Sequence, residues 1–189
     1  ETTALIVNHL RSLQFEVRCG RAVIHPDFVM GRDPLLVAEA IARAKRQGVS
    51  EELLSELDGF TGAVGIWDSG RPGPVTAFRF DIDCVQVGET SDPAHEANAG
   101  GYASQRPNLM HACGHDGHLA VGLGVAQWIK DHADQLCGKI KLVFQPAEEG
   151  TRGAQPMAES GILDDVDFIV CTHIGSSGPL HQVAVCTHG

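Results

Sequence analysis

The sequence predicts an α/β fold with at least one antiparallel hairpin. Two observations carry this. Strand-like and helix-like segments alternate along the chain, the pattern of layered α/β domains. In addition, TGAVGIW (61–67) and VTAFRFDID (75–83) are two β-rich runs around the Gly/Pro stretch DSGRPGP (68–74), which reads as a hairpin.

Residues 2–13 show helical apolar spacing, with Leu5, Ile6, His9, Leu10 and Leu13 near one face. Residues 15–24 read as a short strand, a turn and an extended piece. Residues 34–47 form a helix, with Pro34 suited to its first turn and Gly48 to its stop. Residues 50–57 start another, capped by Ser50. After the two β-rich runs, residues 88–109 are rich in Gly, Ser, Asp and Asn and read as a long loop of the kind that usually carries function. HACGHDGH follows at 111–118. Residues 118–134 are a helix with small residues on one face, and KIKLVFQP (139–146) is a buried strand with Glu148 and Glu149 just beyond it. A short helix is expected within 153–161, and DFIVCTHIG (167–175) is an apolar strand ending at His173. No internal repeat is present.

The chain has 189 residues, of which 43% are hydrophobic and 20% charged, enough for one domain with a sizeable core. Its net charge of −10 disfavours nucleic acid and anionic membrane as partners, because no basic patch offsets it. Bound divalent cations would neutralise part of that charge; otherwise the acidity serves solubility. The cysteines Cys19, Cys84, Cys113, Cys137, Cys171 and Cys186 are too sparse for a secreted disulfide scaffold and read as free thiols in a reducing cytoplasm. No apolar run approaches the ~20 residues of a spanning helix, and no signal-peptide pattern opens the chain. The start at Glu1 reads as a truncated or trimmed N-terminus.

Three segments concentrate the chemistry, each at or beyond the C-terminal end of an expected strand, where α/β sheets place ligands. In the first, Cys113 and His115 flank Gly114, and thiolate and imidazole both suit zinc or a neighbouring transition metal. Gly114 permits a tight backbone that aims both at one ion, and Asp116 could hold a ligand imidazole from behind. The competing interpretation is a helix N-terminus with an incidental histidine and a buried cysteine. His118 is expected to pack or lie on the helix surface rather than to bind a metal. In the second segment, adjacent side chains on extended backbone point opposite ways. One of Glu148 and Glu149 can then bind a metal while the other faces a water as general base. A helix-start role for the two acids is the alternative. In the third, His173 closes a core strand; alone it is as often structural as functional, but beside the other two segments it reads as a ligand. Asp81 and Asp83 end the run FRFDID, and Asp83 is expected to orient a ligand histidine.

HACGHDGH, QPAEEG (145–150) and the histidine closing the next strand resemble the M20 metallopeptidase and aminoacylase family. The cysteine-containing form is similar to its amidohydrolase branch, which includes auxin-conjugate hydrolases, hippurate hydrolases and N-acetyl-diaminopimelate deacetylases. Within that branch, GFTGAVGIWDSGRPGPVTAFRFDID, KLVFQPAEEGTRGA, DDVDFIVCTHIG and a helical insert at about 27–58 look most like the aminobenzoyl-glutamate hydrolase subgroup.

The resemblance implies a three-layer α/β/α, zinc-peptidase-like catalytic domain with a mixed sheet. It implies Cys113, His115, Glu149 and His173 as ligands of two divalent ions, Mn or Zn, and Glu148 as the general base. The branch usually reads Arg-Ala-Asp-Met-Asp-Ala-Leu where this chain has Arg79-Phe-Asp-Ile-Asp-Cys-Val85; both aspartates are retained. Family members run to roughly twice this size. Residues 1–189 are therefore expected to be the N-terminal part of the catalytic domain, without the dimerisation domain, the returning catalytic part and its further histidine ligand. The implied substrate is a small N-acyl amino acid, foremost p-aminobenzoyl-glutamate, cleaved to p-aminobenzoate and glutamate. The alternatives are a general hippurate- or auxin-conjugate-type deacylase and a non-catalytic metal-binding subunit. The implied assembly is a homodimer or a heterodimer with a related subunit.

Overall fold

A computed structural model describes residues 1–175, 179 and 182–185. Its elements, in chain order, are α1 (Thr2–Ser12), β1 (Glu16–Cys19), α2 (Pro34–Arg46), α3 (Glu51–Leu57), β2 (Ala63–Asp68), β3 (Val75–Asp81), α4 (Glu96–Gly100), α5 (His115–Asp131), β4 (Lys139–Gln145), α6 (Ala154–Ala158) and β5 (Phe168–Cys171). Local chemistry sets several boundaries. Asp33 caps α2 through its carboxylate, with Pro34 in the first turn, and the Ser50 hydroxyl accepts the Leu53 N–H to start α3. Within the expected 88–109 loop the short helix α4 forms.

The five strands make one mixed sheet in the order β1-β2-β4-β3-β5. β1, β2 and β4 run antiparallel to their neighbours in turn, whereas β3 pairs in parallel with both β4 and β5. This corrects the expected hairpin: β2 and β3 do not pair, because β4 lies between them. Residues 69–74 are long enough to cross the gap of about 10 Å, two strand spacings, and they bond to the start of β4 instead of closing a tight turn. Ser69 N–H and Gly138 O lie 3.1 Å apart, Gly138 N–H donates to Arg71 O, and Lys139 N–H donates to Pro74 O. Gly138 is required there, since it takes a positive φ and an added Cβ would sit 2.2 Å from Pro74 O.

β4 wins the central position because both of its faces are apolar and covered. Ile140, Leu142 and Phe144 join a core with α1 and α5 (Ile6, Leu10, Ala126, Ile129) on one face. Val143 joins Val64, Ile66, Ala77, Met157 and Ile162 on the other. The small-residue face of α5 lets it settle on the sheet: a Cβ on Gly122 would come within 2.8 Å of both Phe80 and Phe144. β5, by contrast, is an edge strand whose apolar residues Phe168, Ile169 and Val170 are exposed. No helix among the described residues is long and apolar enough to cross a membrane.

Candidate metal centre

The parallel trio β3, β4 and β5 brings three chain segments to one edge of the sheet, and α5 points its N-terminus there. Gly114, left-handed at φ 77°, turns the chain into α5. Cys113 therefore stands at the mouth of the turn and His115 begins the helix, 1% exposed. The His115 Nδ1 lies 3.1 Å from Asp83 Oδ1 and 3.2 Å from Asp83 O, so Nδ1 carries the proton and donates. Its Nε2 lone pair is buried and has no hydrogen-bond partner. That orphaned nitrogen faces Glu148 Oε2 at 3.8 Å and Glu149 Oε1 at 3.9 Å.

The two glutamates reach it by a route other than the one expected. Residues 148–151 are a turn, not extended backbone, so the carboxylates do not point opposite ways. Ala147 adopts a left-handed φ of 55° directly after Pro146, a strained conformation of the kind that gathers at functional sites. The Arg152 and Gly153 N–H groups close the turn on Ala147 O, and Gly153 packs so tightly that a Cβ would meet Pro146 O at 1.6 Å. The Glu149 N–H is held by Asp83 Oδ2 at 3.0 Å. Asp83 thus grips both segments, one carboxylate oxygen to each.

His173, exposed beyond β5, donates from Nδ1 to Ile174 O at 2.8 Å and turns Nε2 to within 3.4 Å of Cys113 Sγ. The structure therefore brings Cys113, His115, Glu148, Glu149 and His173 together. Cys113, His115 and Glu149 offer three donor atoms all within 4.8 Å of one another, and Glu148 stands outside that set. Hydrogen bonding to Glu149, then burial, then the charges of Glu149, Glu148 and Asp81 push the Cys113 thiol up from its ordinary value. A cation among these groups would reverse that field and favour the thiolate. A thiolate, an imidazole with its outer nitrogen anchored, and a carboxylate are a donor set that fits a divalent transition metal.

Asp116 does not take its expected place. It is exposed, its carboxylate accepts the Gly117 N–H, and no bond joins it to an imidazole among the described residues. The residues that reasoning from sequence passed over are Asp81 and His118. His118 is buried, its Nδ1 lies 3.2 Å from Asp81 Oδ2, and its Nε2 accepts the Ile174 N–H at 2.9 Å. Burial, and then the neighbouring His173, hold its pKa below the ordinary histidine value. Asp81 is fully buried and ion-paired with Arg79. The signal was available: two acids at i and i+2 on a strand end and two histidines at i and i+3 on a helix can pair twice. They do so here as Asp83–His115 and Asp81–His118. Beside the motif lies a cavity of about 590 Å³ lined by Cys84, Tyr102, Arg106, Met110, His111 and Asp116.

The sequence model described as peptidase family M20/M25/M40 matches residues 77–188. The chain belongs to peptidase family M20/M25/M40. Among the curated members of the family, a homolog of one subunit of p-aminobenzoyl-glutamate hydrolase, from Haemophilus influenzae, is 51% identical, over 92% of this chain and 41% of its own length. An indole-3-acetyl-aspartic acid hydrolase of Enterobacter agglomerans is 46% identical, over 98% of this chain and 43% of its own length. The chain thus spans about two-fifths of the length of the curated relatives it matches. Among solved structures, an aminobenzoyl-glutamate utilization protein from Klebsiella pneumoniae is 41% identical with a TM-score of 0.74, covering 92% of this chain and 38% of that one. A dinuclear metal binding peptidase of the M20 family from Bacillus subtilis is 26% identical with a TM-score of 0.58, covering 94% and 44%. The mixed sheet flanked by helices is the M20 fold.

Proposed function

We propose that this M20 chain supplies the metal-binding and catalytic groups of a hydrolase that cleaves the amide bond of N-acyl amino acids, with p-aminobenzoyl-glutamate as the leading substrate. The observation that carries this is the buried, partnerless His115 Nε2, facing both Glu148 and Glu149 while its Nδ1 is fixed by Asp83. Cys113, His115, Glu149 and His173 would hold two divalent ions, Mn or Zn; the dinuclear count follows the Bacillus subtilis relative. When bound, such ions lower the pKa of water toward neutrality and polarise the amide carbonyl.

Glu148 stands beside the ligand set without joining it, the place of a general base. It takes the proton of the attacking water and returns it to the leaving nitrogen. Asp83 keeps the His115 lone pair and the Glu149 backbone in register while this happens. Tyr102 and Met110 in the adjoining cavity offer apolar surface for an aromatic acyl group. Arg106 in the same cavity is paired with Glu1, so recognition of the substrate carboxylate is assigned to other parts of the protein.

The Haemophilus relative is named as one subunit of its hydrolase, which supports assembly with a related chain, as a heterodimer if not a homodimer. Cys19, Cys84, Cys113, Cys137 and Cys171 are free thiols, which fits a reducing cytoplasm; Cys186 lies outside the described residues. We further assign these residues to the N-terminal part of a catalytic domain, with α2 and α3 as the helical insert of the subgroup.

A second substrate is favoured by one observation, the similarity to the Enterobacter hydrolase, which points to indole-3-acetyl-aspartate. The deciding experiment loads the intact protein with Mn²⁺ or Zn²⁺ and compares kcat/KM on p-aminobenzoyl-glutamate, indole-3-acetyl-aspartate and hippurate. Highest kcat/KM on the first is expected. Metal uptake without hydrolysis of any of them would return the chain to a non-catalytic metal-binding role.

A further inference from the structure

We propose that His118 is a positioning residue for His173: clamped by Asp81, it binds the backbone N–H that follows His173 and so aims that imidazole at Cys113. The inference rests on the metal-centre assignment above and goes beyond it, because His118 is itself no ligand there.

The argument starts from a histidine with both nitrogens committed. His118 is buried on α5, one turn beyond His115, and its ring stacks on that of His115 with centroids 5.1 Å apart. Its Nδ1 meets Asp81 Oδ2 at 3.2 Å, and its Nε2 accepts the Ile174 N–H at 2.9 Å. Only one tautomer satisfies both contacts: proton on Nδ1, lone pair on Nε2. The Asp81 carboxylate fixes that tautomer and is itself buried and paired with Arg79. Asp81, His115, His118 and His173 also lie close enough to suggest a second group of metal donors. His118 fits that role poorly, since binding an ion would break one of two buried hydrogen bonds and strand either the Asp81 carboxylate or the Ile174 N–H.

What the relay controls is the segment after β5. β5 is an edge strand with exposed side chains, so packing does little to fix residues 172–175. His173 is exposed, and its own Nδ1–H donates to Ile174 O, the carbonyl of the residue that His118 grips by its N–H. Both hydrogen bonds pass through Ile174. With the His118 bond in place, His173 Nε2 is presented to Cys113 Sγ at 3.4 Å and packs edge-on against the His118 ring, centroids 4.5 Å apart. Without it, the imidazole swings on an unsupported strand end. Groups that orient a ligand from behind are typically worth about 10–100-fold in metal affinity.

The test uses the intact protein stripped of metal and titrated with Mn²⁺ and with Zn²⁺, alongside amide hydrogen exchange over residues 172–175. His118→Phe keeps the ring and loses both hydrogen bonds; His118→Gln keeps an acceptor for Ile174 and a donor for Asp81. His118→Phe is expected to lose about 10–100-fold in metal affinity and to exchange faster at Ile174, while His118→Gln stays within about tenfold of wild type and restores protection. A purely structural histidine would lower the melting temperature without this rescue pattern. Wild-type metal affinity in His118→Phe overturns the assignment, and so does a His118→Gln variant as weak as the Phe one. If His118→Phe fails to fold, His118→Asn replaces it, its amide one methylene short of Ile174: binding weaker than that of the Gln variant supports the relay, and equal binding overturns it. A wild-type protein that takes up no metal sinks the metal-centre assignment and the relay together. Metal uptake that the Phe variant leaves unchanged sinks the relay alone.

Discussion

Asp83→Ala offers the sharpest test of how the centre is held. One carboxylate oxygen accepts the His115 Nδ1–H at 3.1 Å, and the other accepts the Glu149 N–H at 3.0 Å. Removing the carboxylate frees the His115 ring to turn or to move its proton to Nε2, which would block the lone pair. It also releases the turn that carries Glu149. A single orienting partner is worth about 10–100-fold in metal affinity. With two donors served by one side chain, the loss should lie near the upper end, about 100-fold, or about 2.8 kcal/mol. Asp83→Asn should fall between, about tenfold, because its amide oxygen still accepts from one of the two N–H groups. The assay is calorimetric titration of the metal-free intact protein with Zn²⁺, with a thermal melt to show that the fold survives. If Asp83→Ala bound the metal as tightly and in the same ratio as wild type, the role drawn for Asp83 would be wrong.

Glu148→Gln should keep its metal, since Glu148 stands outside the donor set, and lose roughly 10²–10⁴-fold in kcat. Near-normal turnover would end its assignment as base. Cys113→Ser should lose metal and activity together, whereas an incidental buried cysteine would lose only stability; elemental analysis separates the two. The Lys141 ammonium, buried on β4, holds the Asp165 carboxyl below the usual carboxylate range. The folded state therefore binds fewer protons there than the unfolded chain. That contribution is complete above about pH 5 and fades as pH falls through the carboxylate range. Because Asp165 is half exposed, it is worth about 1 kcal/mol or less. Asp165→Asn should thus lower the urea midpoint slightly at pH 7 and not at pH 3; an equal shift at both would refute the linkage.

The candidate site was legible where a residue's chemistry is local. Gly114 between Cys113 and His115, the paired glutamates after a strand and the histidine after the next each announce a donor within a few residues, and all five come together. What stayed hidden depends on pairing across the chain. β4 separates β2 from β3, and nothing within residues 61–83 says so; the decision belongs to residues 138–145, whose two apolar faces claim the centre of the sheet. The same non-local choice decides the site. Because β3, β4 and β5 end at the same edge, Asp81 and Asp83, Glu148 and Glu149, and His173 arrive together, whereas the antiparallel strands β1 and β2 bring no donor. A hairpin of β2 with β3 would have left room for a sheet of similar apolar content. It would also have broken the β3–β4 contact that sets Asp83 against the Glu149 backbone. Strand order is therefore a condition for this donor set, and the acid–histidine pairs across β3 and α5 are the part of the centre that no single segment could reveal.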